Sequence, residues 1–129
     1  MKKHEGSYLM KDWKESACIE RADGHKTSRV EAEFAYEGEL KGPSKVSLLM
    51  HYHPDQTGSY IGWEHFEGTW QGKAATVVFR IEGSFDPKGV EARVSHETGS
   101  GTGALEGLRL SYSIRFAGEG PYPFTLEVE

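Results

Sequence analysis

A single cysteine, Cys18, is all that the 129 residues hold, so no internal disulfide can form and the fold must rest on its own core. The opening Met1-Lys2-Lys3-His4-Glu5-Gly6 has no apolar stretch of the kind a secretory signal requires. Together these set a reducing, cytoplasmic location as the expectation. No run approaches the roughly 18 apolar residues that cross a bilayer, so a membrane is not an expected partner. Basic clusters are missing too. Lys and Arg are interleaved with Asp and Glu to a net charge of -5, which argues against nucleic acid because phosphate neutralisation needs a concentrated positive face. Helical periodicity is the last thing lacking, and its absence removes the helix-borne motifs with it.

What is present is a period of two. Val30, Ala32, Phe34 and Tyr36 alternate with Arg29, Glu31, Glu33, Ala35 and Glu37, so one face of that strand is buried and the other is wet. Ala75, Val77, Phe79, Ile81 and then Tyr122, Phe124, Leu126, Val128 read the same way. Turn chemistry cuts the chain at His53-Pro54-Asp55-Gln56-Thr57-Gly58, Trp70-Gln71-Gly72-Lys73, Phe85-Asp86-Pro87-Lys88-Gly89 and Ala117-Gly118-Glu119-Gly120-Pro121. The expected strands are 6–15, 28–40, 44–53, 58–67, 74–83, 89–96, 108–117 and 122–128. Links this tight leave no room for parallel crossovers. The predicted fold is all-β: one domain over 1–129, a closed antiparallel up-and-down barrel of about eight strands, since closure removes the exposed edges. The polar stretch from Cys18 to Thr27 reads as a surface loop or a lid over one barrel mouth.

Two segments are distinctive beyond patterning. One is Leu48-Leu49-Met50-His51-Tyr52-His53-Pro54-Asp55 followed by Gly62-Trp63-Glu64; the other is Gly83-Ser84-Phe85-Asp86 followed by the run from Gly99 to Arg109, Gly-Ser-Gly-Thr-Gly-Ala-Leu-Glu-Gly-Leu-Arg. With Trp13, they resemble the bacterial family known as domain of unknown function 3224, over nearly the whole chain. That family is similar in fold to allene oxide cyclases, which implies an eight-stranded, calycin-like barrel and little chemistry.

The glycine-rich run formally contains G-x-G-x-x-A at Gly99, Gly101 and Ala104. A dinucleotide fingerprint needs a helix to begin there and aim its amides at a pyrophosphate. Leu108, Leu110, Tyr112, Ile114 and Phe116 continue with period two instead, so the run reads as a bend that closes the barrel, with Leu105 and Leu108 plugging an end.

His51 and His53 lie two apart on a strand and share a face, and His96 would complete a facial triad of metal ligands. The competing reading is a pair of surface histidines with no metal. Glu64 shares a face with Tyr60, Gly62 and Phe66. If that face is the lumen, burial raises the carboxyl pKa and suits Glu64 to acid–base work or to orienting a ligand, with Gly62 leaving room for it; the alternative is a structural carboxylate paired with Arg80 or Arg93. Apolar residues on both faces of 44–53 and 74–83 predict a homo-oligomer. Three functions follow: a barrel that binds a small apolar molecule through Tyr52, Tyr60, Glu64 and Tyr112; a cyclase or isomerase like allene oxide cyclase, with Glu64 catalytic and no cofactor; or a non-catalytic oligomeric module whose lumen is packed core.

Overall fold

Alternation decides the architecture, because each strand can bury only one of its faces. In the computed structural model, which describes residues 1–129, every regular element is a strand. In order they are β1 (Lys2–Glu20), β2 (Lys26–Gly38), β3 (Leu40–Tyr52), β4 (Gly58–Trp70), β5 (Lys73–Asp86), β6 (Gly89–His96), the two-residue β7 (Thr102–Gly103), β8 (Leu110–Phe116) and β9 (Tyr122–Val128). All pairings are antiparallel. The order β4-β3-β2-β1-β9-β8-β6-β5 is joined at its ends by β4 pairing with β5, so eight strands form a ring. Short β7 pairs with Ala75 and Thr76 of β5, extending the wall where β6 has ended. No helix is long and apolar enough to cross a membrane.

The inward faces are those the alternation marks. Val30, Tyr36, Phe66, Phe79 and Leu126 are each at most 1 % exposed. One end of the ring is plugged. Gly103 (φ 61°) turns the chain inward, and the 102–108 segment, folded on itself by Leu105 N–H to Thr102 O and Leu108 N–H to Leu105 O, drives Leu105 to complete burial. Leu108 packs against the core beside it. The glycine-rich run thus plugs one end with Leu105 and Leu108, while the ring itself is closed by β4 and β5, and no helix starts in the run.

Three features depart from expectation. β1 is far longer than the predicted 6–15, so most of the Cys18–Thr27 stretch is strand and the connection shrinks to residues 21–25. A bulge at Asp12, whose φ of 53° an aspartate tolerates, shifts the β1–β2 register between Lys11↔Glu33 and Lys14↔Glu31. The extra residue places Glu15 opposite inward-facing Val30. Lastly, the β8–β9 seam is short: Leu110↔Val128 and Ser111↔Glu127 pair, and Arg109 and Glu129 exchange amide hydrogen bonds at 2.8 and 2.9 Å beside them. Beyond that, rings fill the space between the strands: Tyr112 stacks on Phe124 at 4.3 Å between centroids and Phe116 meets Tyr122 at 4.2 Å.

Candidate functional site

The end opposite the Leu105 plug is open. Apolar strand faces, the bulged β1 and the turns around Pro87 and Gly118 enclose a cavity of about 400 Å³ there, within the range of small-molecule sites. Its walls are apolar, from Met10, Phe34, Leu48, Met50, Ile81 and Val94; Tyr8 and Tyr112 belong to its deeper part, and Trp13, Tyr52 and Phe85 to its rim. Trp13 reaches this rim because the Asp12 bulge re-aims β1.

Below the cavity lies a polar network sealed in the core. The inward face of β4 carries Tyr60, Gly62, Glu64 and Phe66, while Trp63 on the opposite face is exposed, which resolves which face is inside. On β3 and β4 the cavity reaches Leu48 and Tyr60 but stops short of Val46 and the Glu64 paired with it. Glu64 is fully buried, and Tyr36 O–H donates to its Oε1. Since the Tyr36 proton is spent on the carboxyl, Tyr112 O–H must donate to Tyr36 across 2.7 Å. The chain therefore runs from Tyr112, against the cavity, through Tyr36 to Glu64.

Desolvation pushes the Glu64 pKa up to about 8, although Tyr36 and the nearby Ser44 hydroxyl partly oppose it. Neither Ser44 Oγ nor Glu64 Oε2 completes a hydrogen bond. With its pKa raised this far, the carboxyl is mostly protonated at neutral pH. Burial likewise raises the Tyr36 and Tyr112 phenols well above their usual range, with the Glu64 charge adding to both. The expected pairing of Glu64 with an arginine does not occur: Arg80 and Arg93 lie on the outer surface beside Glu82, at 3.6 and 3.1 Å. Nor does Gly62 leave room for a ligand. A Cβ there would lie 2.0 Å from Ser47 O, so the glycine permits β3 and β4 to approach closely.

A second carboxylate stands near the mouth. Glu15 accepts hydrogen bonds from Ser28 Oγ (2.6 Å), Trp13 Nε1 (3.2 Å) and the Tyr52 hydroxyl. Partial burial pulls its pKa upward, but these donors and Lys26 outweigh that and leave it lowered. Tyr52 is pushed up to about 12 by burial and by Glu15, with the Lys26 ammonium 4.4 Å over its ring. Tyr60 spans Gly83 on β5 and donates to Glu91 O at 3.0 Å, so its hydroxyl is already occupied.

Of the predicted site residues, Tyr52, Tyr60 and Tyr112 line one cavity and Glu64 lies beneath it. The histidines divide differently from the expected triad. His96 is apart from the others, its Nδ1 accepting the Leu110 amide at 3.2 Å. His51 and His53 instead meet His25, from the connection before β2. Pattern reading missed Glu15, Tyr36 and His25 as site residues. Only Tyr36 carried a signal, as the last inward position of the β2 alternation.

A family model described as "Protein of unknown function (DUF3224)" matches residues 4–128. Among solved structures, a protein of unknown function from the DUF3224 family of Shewanella oneidensis MR-1, determined at 1.84 Å, is similar with a TM-score of 0.79 and 20 % identity, covering 100 % of this chain and 96 % of that one. At that identity the likeness shows a shared fold alone. Comparison with curated proteins gives no match. With nearly every residue covered by the family model and the fold shared with a family member, the chain belongs to the DUF3224 family.

Proposed function

We propose that the protein is a closed β-barrel that binds a small, largely apolar molecule in its open end. The observation that carries this reading is the contrast between the two ends: one is filled by Leu105, the other keeps about 400 Å³ walled by apolar side chains. A void of that size with several tyrosines and a few charged side chains at its mouth, Asp86 and Lys88 in the lining and Glu15 bonded to Trp13 and Tyr52 of the rim, matches the make-up of ligand sites, where a few polar groups orient a mostly apolar guest. The predicted alternative of a wholly packed lumen fits the lower half, where Tyr36, Phe66 and Phe79 fill the space, and not the upper.

The probe is anilinonaphthalene sulfonate. Saturable one-to-one fluorescence enhancement, competed by a medium-chain fatty acid and weakened about tenfold by the cavity-filling Ile81→Trp, supports the reading. Enhancement that fails to saturate, or that Ile81→Trp leaves unchanged while the circular dichroism stays native, refutes it.

A cofactor-free cyclase or isomerase is the second reading, favoured by the neutral Glu64 linked through Tyr36 to Tyr112 at the cavity, a path along which a proton can move. Glu64→Gln that keeps ligand affinity but abolishes turnover supports this reading; equal turnover removes it. The homo-oligomer proposal rests on the outer face of β3 and β4, where Leu49 and Trp63 are 49 % and 44 % exposed on neighbouring strands. Sedimentation showing a strict monomer at micromolar concentration removes it.

A further inference from the structure

We infer that His25, His51 and His53 form a binding site for a divalent transition-metal ion of the zinc, cobalt, nickel and copper group, with one coordination position left to solvent. The site lies outside the cavity, where the 21–25 connection meets the β3–β4 turn, and is independent of the binding function proposed above.

The geometry is that of a ligand set. One ligand atom from each ring lies within 4.8 Å of the others, and the ring centroids form a nearly equilateral triangle of 5.1, 5.3 and 5.5 Å. His25 Nδ1 and His51 Nε2 are 3.0 Å apart. Two nitrogens bound tetrahedrally at the usual ~2.0–2.1 Å stand about 3.3 Å from each other, so small ring movements admit an ion.

The His51 ring has a side-chain partner outside the cluster, and the backbone at His25 and His53 is fixed by hydrogen bonds of its own. Thr27 and His51 are direct cross-strand partners on β2 and β3, and Thr27 Oγ1 lies 3.0 Å from His51 Nδ1. In the tautomer that gives its Nδ1 proton to the threonine, the Nε2 lone pair faces His25, the outer-shell arrangement of a ligating histidine. The 21–25 connection is closed by Arg21 N–H to His25 O at 2.8 Å, and the His25 amide donates to Asp23 Oδ1 at 3.2 Å. Gly24, with φ 101°, presses its backbone against Pro54, bringing that connection onto the turn that starts at His53. His53 N–H to Thr57 O at 2.8 Å closes the turn.

The donor set selects the ion. Three neutral imidazoles suit borderline transition metals, whereas calcium and magnesium need oxygen ligands. The nearby Asp55 carboxylate is not among the clustered ligand atoms, and its Oδ1 takes the Thr57 amide (3.1 Å) and hydroxyl (2.6 Å). A bound ion would thus keep three protein ligands and an open position.

Tag-free, full-length protein titrated with zinc chloride tests this by calorimetry, with cobalt chloride giving the visible spectrum of the site. One equivalent binds, with cobalt bands of a low-coordinate site. His25→Ala weakens binding at least tenfold, Thr27→Val weakens it about ten- to a hundredfold, and His96→Ala leaves it unchanged. Zinc raises the melting temperature of the wild type and not of His25→Ala, whose substitution in a loop spares the ring. Less than about a tenth of an equivalent bound, or binding that His25→Ala leaves intact or that His96→Ala reduces equally, overturns the inference.

Discussion

Replacing Glu64 by glutamine probes the most unusual group in the molecule, and its effect changes with pH in a way that can be worked out. In the unfolded chain the carboxyl titrates at its ordinary value of 4.5, whereas burial in the fold pushes it up to about 8. Below pH 4.5 both states hold the proton and nothing is lost. As pH rises, the unfolded state releases its proton first, so native stability falls by about 1.4 kcal/mol per pH unit, levelling off only above the folded pKa. The loss from this one group is about 3 kcal/mol at pH 7 and about 4 kcal/mol at pH 8, and it levels off at about 5 kcal/mol above that. In Glu64→Gln the side-chain carbonyl still accepts from Tyr36 and nothing is left to ionise; the amide nitrogen replaces an Oε2 that already has no partner, at a cost of about 1–3 kcal/mol. Glu64→Gln is therefore neutral or mildly destabilising at pH 4.5 and stabilising at pH 8. Urea unfolding followed by tryptophan fluorescence at several values between those limits gives the variant-minus-wild-type difference, in which all other titrating groups cancel. A difference rising about 1.4 kcal/mol per pH unit is expected. A flat difference would show that Glu64 is ionised in the fold and would refute the reasoning.

Leu105→Ala leaves a void in the plugged end, and equilibrium unfolding should show a loss of about 2–5 kcal/mol with little change in ligand binding at the far mouth. Gly62→Ala sets a Cβ 2.0 Å from Ser47 O and should cost about 3 kcal/mol or more by thermal unfolding, because backbone and not a movable side chain is in the way.

What could be read from the chain was whatever repeats with a fixed period. The faces of β2, β5 and β9 follow from strict alternation, the antiparallel order of neighbours follows from tight turns, and the ring follows from strand number and the cost of open edges. Glu64 was visible as a carboxylate on an aromatic face, yet alternation is symmetric under exchange of inside and outside, so the face it occupies needed the closed sheet. The bulge at Asp12 broke the count along β1: with the period interrupted, Glu15 falls on the interior face although simple alternation from Tyr8 and Met10 puts it outside. His25 was hidden for a different reason. Its neighbours in space come from a turn about thirty residues on, joined by the contact of Gly24 with Pro54, and no local pattern encodes such a meeting.

The two glutamates on the inward strand faces differ in protonation because their environments differ. Glu15, with three side-chain donors and Lys26 nearby, stays ionised; Glu64, with one hydrogen bond inside an apolar shell, stays neutral. A charge on Glu64 would face the aromatic floor with no cation to meet it, the costliest arrangement a core can hold. The fold avoids this by keeping the proton, which leaves charge to the rim, where Glu15 accepts from Trp13 and Tyr52 and where Asp86 and Lys88 also lie. On the binding reading, a guest must then enter tail first: its apolar part against Tyr8 and Tyr112, its polar end at the rim beside Tyr52 and Glu15. Glu64 acts on that guest only through the Tyr36 and Tyr112 hydroxyls, and what reaches the cavity floor is the polarity of a hydrogen-bond chain and not a negative charge.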